Sequence, residues 1–247
     1  MEEAVYDKIA RQYRRSKQLP FRIWVERYTL LRLCGKIEGL SVLDLACGEG
    51  TYTRLLQSHG ATLTHGIDVS GEMIALAQAM EVAYPLGCHY AIEDVGKLQK
   101  LGDYDLALGI FLLNYARSAE ELLRFVRAAF VNLRPGGRFI GLNDNPMQRL
   151  FDDERYRKYG LLRTGQRRLR EGNPIHYTLL CEDEAFGFDN YYLAPSTYEN
   201  AFREAGFVDF RWQGPFLDPA VTQQAFWMTF MSFPPIIGFS ARKPATP

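Results

Sequence analysis

The fold is decided by the stretch Val42-Leu43-Asp44-Leu45-Ala46-Cys47-Gly48-Glu49-Gly50. Its first half is apolar around a single acid, which is typical of a parallel strand buried on both faces. Gly48 and Gly50 allow a sharp turn that brings the backbone close to a ligand. We expect a helix from about Thr51, with its N-terminus pointing at that ligand. The stretch therefore predicts a strand, a ligand-binding turn and a helix.

Two common nucleotide-binding loops do not match this turn. The dinucleotide pattern Gly-x-Gly-x-x-Gly fails because Thr53 stands where the third glycine belongs, and the Gly-Lys-Ser/Thr of a P-loop is absent. The remaining pattern, Asp-x-Ala-x-Gly-x-Gly, resembles motif I of the class I S-adenosylmethionine (SAM) dependent methyltransferases, with Ala46 in place of the first glycine. The resemblance implies SAM as the cofactor.

The resemblance extends in order over roughly residues 40 to 143. It implies that Asp68, at the end of a second strand, binds the ribose hydroxyls. After a third strand, Asp94 would receive the adenine amino group and the Val95 amide would face a ring nitrogen. Asp68 and Asp94 could instead be N-caps, and Asp44 could serve only to order the glycine turn. The other cofactor-binding candidates are Tyr6, Tyr13, Asp44, Ala46, Gly48, Gly50, Val69, Met73 and Phe111.

The acceptor side of the site follows the fourth and fifth strands. A fourth strand over Tyr104 to Phe111 leads to Asn114, which the resemblance places beside the transferring methyl group. Asn143 and Asp144 follow the fifth strand. We expect these polar groups to orient an acceptor ring, and Asp144 is the candidate base for an oxygen acceptor. Asn114 could alternatively cap a strand end or pack in the core.

Residues 1–36 predict an N-terminal helical cap. Tyr6 and Tyr13 lie on one face of a first helix, either touching the methionine part of SAM or packing on the core. A second helix has an apolar stripe with charged positions beside it. The stripe is Trp24, Tyr28 and Leu31, and the charged positions are Arg22, Glu26 and Arg32.

Residues 144–195 contain no βα unit and predict an inserted antiparallel lid rich in aromatic residues. Aromatic faces attract a sulfonium cation, so Tyr177, Tyr191 and Tyr192 are candidate wall residues, with only one of the last two facing inward. His176 is expected to face solvent. The arginine run that begins at Arg163 is interpreted as a solvated loop or hairpin face rather than a phosphate grip.

The alternation of strands and helices predicts one α/β domain over residues 1–247. We expect a Rossmann-like, seven-stranded, mostly parallel sheet with helices on both faces and ligands at the carboxyl ends of its strands. The last strand, near residues 236–242, is antiparallel. Apolar residues 226–233 are expected to pack in the core, with an acceptor pocket or a dimer face as alternatives.

The composition of the chain limits the kinds of partner that it is expected to bind. Hydrophobic residues make up 47% of the chain, and 29 basic residues balance 29 acidic ones, so no large field attracts a nucleic acid. Four scattered cysteines predict neither a metal site nor a disulfide frame. The sequence shows no secretory leader or membrane span, so we expect a cytoplasmic monomer or homodimer that acts on a small-molecule acceptor.

At a finer level, the opening Tyr-Asp-x-Ile-Ala-x-x-Tyr and the exit Asn143-Asp144-Asn145-Pro146 are similar to toxoflavin N-methyltransferases, which methylate an azapteridine. This favours methyl transfer to a heteroaromatic nitrogen in natural-product biosynthesis. Two alternatives remain open. One is cyclisation of SAM itself to azetidine-2-carboxylate and methylthioadenosine, and the other is a SAM-binding regulator without catalysis.

Overall fold

The computed structural model describes residues 10–148, 154–166, 168–181 and 184–245. Its main sheet has seven strands in the order β3-β2-β1-β4-β5-β10-β9. β10 is antiparallel to both of its neighbours, and the other observed pairings in this sheet are parallel. The strands are β1 Ser41–Leu45, β2 Leu63–Asp68, β3 His89–Ile92, β4 Tyr104–Ile110, β5 Leu133–Asp144, β9 Val208–Gln213 and β10 Ile236–Arg242. The predicted doubly wound sheet is confirmed.

Helices cover both faces of this sheet because its inner strands carry apolar side chains on both sides. Val42 packs into one core with α2 and α3, while Leu43, its neighbour in β1, packs into another with α5 and α6. In that second core, Phe202 of α6 stacks on Phe210 with ring centroids 4.2 Å apart. The helices are α1 Ala10–Ser16, α2 Arg27–Cys34, α3 Thr51–Ser58, α4 Gly71–Ala83, α5 Ala119–Val131, α6 Pro195–Ala205 and α7 Gln224–Ser232.

The segment after β5 forms the predicted antiparallel lid, a separate three-stranded sheet in the order β6-β7-β8. Its strands are β6 Leu161–Gly165, β7 Pro174–Leu180 and β8 Ala185–Tyr191. Alternation in β7 turns Tyr177 inward, whereas His176 is half exposed and lies 2.7 Å from Asp189 through its Nδ1.

α7 packs into the same hydrophobic cluster as the lid strands. Its Trp227 and Phe230 are buried, and the Trp227 ring stacks on Tyr159 with centroids 5.3 Å apart. This agrees with the expected core role of residues 226–233, although Met228 and Phe233 remain exposed.

The second N-terminal helix differs from its prediction. A π-helical turn at Arg22–Glu26 precedes α2 and rotates the face that points inward. Arg22 and Glu26 are consequently buried, at 4% and 0% exposure, while Trp24 is 36% exposed. The charged pair is tolerated inside because Arg22 Nη1 donates to both Glu26 carboxylate oxygens at 3.0 Å.

Candidate functional site

Hydrogen bonds from neighbouring side chains hold the turn after β1 in place. The hydroxyl of Thr53 in α3 donates to Asp44 Oδ2 at 2.7 Å, so Asp44 orders the glycine turn. Burial raises the pKa of the Asp44 carboxyl to about 7, although this hydrogen bond opposes the rise. Ala46 adopts a left-handed φ of 61° where a glycine would be unstrained. The strain marks a backbone shape that the site requires.

Asp68 connects the end of β2 to this turn. Its carboxylate accepts hydrogen bonds from the Gly48 amide at 2.8 Å and from the Ser70 amide at 2.9 Å. A Cβ added to Gly48 would meet nothing nearer than Met73 Sδ at 4.0 Å, so the space above this amide is open. Gly50 differs, because a Cβ there would lie 2.5 Å from the Tyr90 hydroxyl. The turn thus has one glycine that faces open space and one that packs against Tyr90.

The other cofactor candidates lie around the same strand ends. Met73 is buried beneath the turn, and Val69 is 59% exposed. Asp94 caps a short 3-10 turn by accepting from the Gly96 amide at 2.8 Å, which realises its N-cap alternative. The Val95 side chain packs in the core, which leaves its backbone as the part that could meet a ligand.

Of the two predicted tyrosines, Tyr6 lies outside the described residues, whereas Tyr13 lines a cavity beneath the lid. Phe111, which has a left-handed φ of 60°, lines the same cavity at the end of β4. The Arg22 guanidinium carbon lies 5.1 Å from the Tyr13 ring centroid and 5.9 Å from that of Phe111. Sequence reasoning placed Arg22 on an outer face and therefore missed it.

These residues fit an adenosyl cofactor. The open space above the Gly48 amide lies beside the carboxylate of Asp68, which suits a ribose whose hydroxyls donate hydrogen bonds. Exposed Val69 offers an apolar surface next to it, where an adenine ring could rest. On the other side of the turn, the aromatic rings of Tyr13 and Phe111 suit a sulfonium cation.

The predicted catalytic residues form a buried polar cluster where β5 meets the lid. Tyr177 donates to the Asp144 carboxylate, and Arg163 Nη2 lies 3.2 Å from Asp144 Oδ1. Burial raises the pKa of Asp144 against the opposing charge of Arg163, and it raises the pKa of the Tyr177 phenol well above its usual range. Arg163 is only 4% exposed, so its interpretation as part of a solvated face is wrong.

Asn114 and Asn143 support the end of β5. Asn114 Oδ1 accepts from the Asp144 amide at 3.0 Å, and Asn143 Nδ2 donates to the Asp144 carbonyl at 3.0 Å and to the Tyr198 hydroxyl at 3.2 Å. Neither lines the cavity. Their contacts position Asp144, which fits the capping alternative for Asn114.

The cavity beneath the lid has a volume of about 30 Å³ and mostly aromatic walls. Tyr177 stacks in parallel on Phe188, with ring centroids 5.6 Å apart. Asn190 lines the same cavity, is 3% exposed, and has an Oδ1 without a hydrogen-bond partner among the described residues. Two-residue alternation from Phe188 could have identified Asn190 from the sequence. Of the other predicted lid walls, Tyr192 is buried and Tyr191 packs under Arg117.

Residues 42–137 match the family model described as a methyltransferase domain. This segment is similar to methyltransferase domains, and the chain as a whole has the Rossmann-like methyltransferase fold. The fold is similar over nearly the whole chain to the CcbJ methyltransferase from Streptomyces caelestis, at 19% identity, a TM-score of 0.69, and coverage of 99% of this chain and 100% of that one. A SAM-dependent methyltransferase from Mesorhizobium loti gives 23% identity and a TM-score of 0.64, covering 88% and 97%.

Among curated proteins, this chain is 29% identical over 140 residues to a ubiquinone biosynthesis O-methyltransferase of Methylobacterium nodulans, covering 53% of this chain and 55% of that one. The chain therefore spans about half the length of the curated relatives it matches. Together with the turn geometry, these matches support S-adenosyl-L-methionine as the cofactor. Within the described ranges, none of the helices has the length and apolar content needed to cross a bilayer, and the same ranges hold no cluster of metal-binding side chains.

Proposed function

We propose that this chain transfers the methyl group of SAM to a nitrogen of a small heteroaromatic molecule. The choice of a nitrogen rather than an oxygen as the methyl acceptor rests on one observation. No described residue that lines the cavity is a carboxylate or a histidine. A hydroxyl acceptor needs a base to remove its proton, whereas a ring nitrogen with a lone pair does not. The cavity thus suits an acceptor that is nucleophilic without help.

In this proposal the cofactor residues keep the roles that the resemblance implies. Asp68 binds the ribose, and the exposed Val69 side chain and the Val95 backbone flank the adenine. Tyr13 and Phe111 lie beside the methionine part. Bound SAM supplies an activated methyl group, and the protein contributes mainly the alignment of that group with the acceptor, worth up to about 7 to 11 kcal/mol in favourable cases.

Tyr177 orients the acceptor, and Asp144 holds Tyr177 in place rather than removing a proton. The phenol of Tyr177 is already committed to the Asp144 carboxylate, and its raised pKa keeps it protonated at neutral pH. Arg163 and Tyr177 both bind the Asp144 carboxylate, which does not line the cavity and so is not placed to take a proton from an acceptor. The Tyr177 ring lines the cavity, where its edge or an uncovered part of its face can contact a heteroaromatic ring.

Asn190 defines a second feature of the acceptor. Its buried, unpartnered Oδ1 needs a hydrogen-bond donor, since an unsatisfied buried acceptor costs about 1 to 3 kcal/mol. A ring N–H or amino group on the acceptor would satisfy it. This supports a nitrogen heterocycle over an apolar substrate, as in the azapteridines that the sequence resemblance suggests.

The size of the cavity favours a second candidate function, cyclisation of SAM without an acceptor. A volume of about 30 Å³ is far below the roughly 300 to 1,000 Å³ of typical ligand sites. A ring-sized acceptor would need room beyond that taken by SAM, whereas cyclisation of the methionine chain needs no acceptor at all.

Mass spectrometry of the nucleoside product separates the candidates. The purified protein is incubated with SAM alone and with a panel of nitrogen heterocycles that includes demethylated azapteridines. S-adenosylhomocysteine that forms only with an acceptor, together with a methylated product, supports the proposal. Methylthioadenosine from SAM alone would establish cyclisation instead. If SAM binds but neither product forms with any compound, the regulator alternative gains support.

A further inference from the structure

A second and larger concave site, of about 260 Å³, lies on the sheet face that α2 covers. We call it the arginine groove, because four arginines line it against a single carboxylate, Asp209. The chain as a whole has a formal net charge of zero, so this local excess of positive charge is set by the fold. The arginines are Arg32, Arg138, Arg211 and Arg242.

The register of the sheet forces like charges together. In the antiparallel pair of β5 and β10, Arg138 lies directly opposite Arg242, and in the next pair Arg211 of β9 lies opposite Ser240. Like charges directly opposite one another destabilise a sheet. A cost of this kind is offset when an anion binds between the charges.

Two of the guanidinium groups are fixed in place. Arg138 donates to the carbonyls of Leu33 and Cys34 at the end of α2, at 3.3 and 2.7 Å, and Arg242 pairs with Asp209 at 2.8 Å. These contacts leave further donors of each planar group available, since a guanidinium carries five N–H bonds. The fixed groups form a preorganised floor for the groove.

The other two guanidinium groups have no hydrogen bond or ion pair with a described residue. Arg32 lies over the Phe216 ring, with its guanidinium carbon 4.3 Å from the centroid, and Arg211 is exposed at the edge strand β9. Both can turn toward a ligand at little cost. A planar guanidinium suits phosphate because two of its N–H bonds can meet two phosphate oxygens.

The arginine groove is distinct from the methyltransferase site. Arg138 stands near the start of β5 and Asp144 at its end, six residues apart along the strand. At a rise of about 3.3 Å per residue, the two positions are roughly 20 Å apart. A ligand in the groove therefore touches neither the glycine turn nor the lid cavity.

We propose that the arginine groove binds a small phosphate-bearing anion, of the diphosphate or nucleoside diphosphate class. The concave shape and the size of the groove match a compact anion better than a nucleic acid, and the overall neutrality of the chain supplies no extended field for a polymer. The competing explanation is that the charges only protect the edge strand β9 from pairing with other chains.

Isothermal titration with inorganic pyrophosphate, with ADP and with a short single-stranded RNA tests this proposal at about 0.1 M salt. The variants are R211Q, R32Q and, as a matched loss of one charge elsewhere, R203Q on the exposed surface of α6. We expect saturable 1:1 binding of pyrophosphate, weakened about tenfold or more in R211Q and R32Q and unchanged in R203Q. Tighter binding of ADP would assign the groove to a nucleotide; equal binding would assign it to the phosphates alone.

The proposal is overturned if pyrophosphate and ADP show no saturable binding, if RNA alone binds, or if R203Q weakens binding as much as R211Q. Edge protection predicts a different result, in which R211Q self-associates during size-exclusion chromatography without any loss of anion affinity. SAM binding by each variant serves as the folding control. Since no acceptor or methyl transfer is involved, the test is independent of the proposed function.

Discussion

Tyr177 in the middle strand of the lid donates a hydrogen bond to Asp144 at the end of β5, which ties the lid to the main sheet. The bond is buried and one partner is a carboxylate, a combination worth about 1.5 to 3 kcal/mol. We expect Tyr177→Phe to lower the free energy of unfolding by about that amount while keeping the stacked ring. Urea unfolding measures the change. Y191F is the control, because the Tyr191 hydroxyl makes no hydrogen bond to a described residue, and an equal loss in both variants would contradict the role of this bond.

The ion pair in the π-helical turn should behave as a coupled unit. Glu26→Gln leaves the Arg22 charge buried without a balancing carboxylate, at a cost of about 3 to 5 kcal/mol. The double variant R22M/E26L removes both charges, so its free energy of unfolding should fall much less. A double-mutant cycle completed with the single variants R22M and E26L measures the coupling by chemical denaturation. Additive losses would show that the two side chains act independently.

Gly48 and Gly50 should respond differently to alanine. At Gly48 the added methyl group enters open space, so G48A costs only the left-handed strain of about 1 to 2 kcal/mol but blocks the approach of SAM. At Gly50 the methyl group collides with Tyr90 as well, so G50A should be the less stable variant. Thermal unfolding and titration with S-adenosylhomocysteine compare the two. G48A binding as tightly as the wild type would remove this amide from the cofactor site.

The Asp44 carboxyl predicts a specific dependence of stability on pH. Its pKa rises from 3.8 in the unfolded chain to about 7 in the folded protein. Between these values the folded state retains a proton that the unfolded state has lost, so stability is highest below the lower pKa and falls as the pH rises toward 7. The fall in the free energy of unfolding that this carboxyl causes between the two pKa values is at most about 4 kcal/mol.

Asp44→Asn removes that titration while keeping an acceptor for Thr53. We expect the free energy of unfolding of the wild type to fall, relative to D44N, between about pH 4 and pH 7, and the difference to level off above that range. Urea unfolding at a series of pH values gives both curves. Parallel curves would mean that Asp44 ionises in the folded protein as easily as in the unfolded chain.

Asn190→Leu should separate stability from function. Replacing the amide removes an unpartnered buried oxygen, so we expect the variant to be more stable by about 1 kcal/mol or more. With an acceptor found by mass spectrometry, the same variant should show a higher KM, because the donor on the acceptor loses its partner. A less stable N190L with an unchanged KM would show that this amide serves packing rather than recognition.

The sequence predicted the main sheet well because its signals are local. The strands β1 and β4 are short, largely apolar runs, β2 ends at Asp68, and the Gly-Gly pair before Phe139 marks the start of the fifth strand's core segment. Alternation between strands and helices then restricts the topology. Even the lid could be placed, since its strands break the βα pattern.

Side-chain roles that depend on distant partners could not be predicted. Arg163 appeared solvated because its partner Asp144 lies 19 residues away, and no local pattern joins the two. Arg22 and Glu26 were assigned to an outer face because a regular helix period was assumed across a π-helical turn. Asp94 differs from these residues because its observed contact is local. Its side chain caps the turn that follows it, as the N-cap alternative from the sequence describes.

The place of β10 between β5 and β9 has a consequence for folding. β9 comes before β10 in the chain, yet β10 lies between β5 and β9, so β9 joins the main sheet only through the later strand. Pairing of Asp144 with Ile236 closes a long loop that contains the whole lid, which is a slow, high-contact-order event. The half of the sheet that carries the glycine turn can therefore assemble first, and the arginine groove and the floor of the lid cavity are completed last.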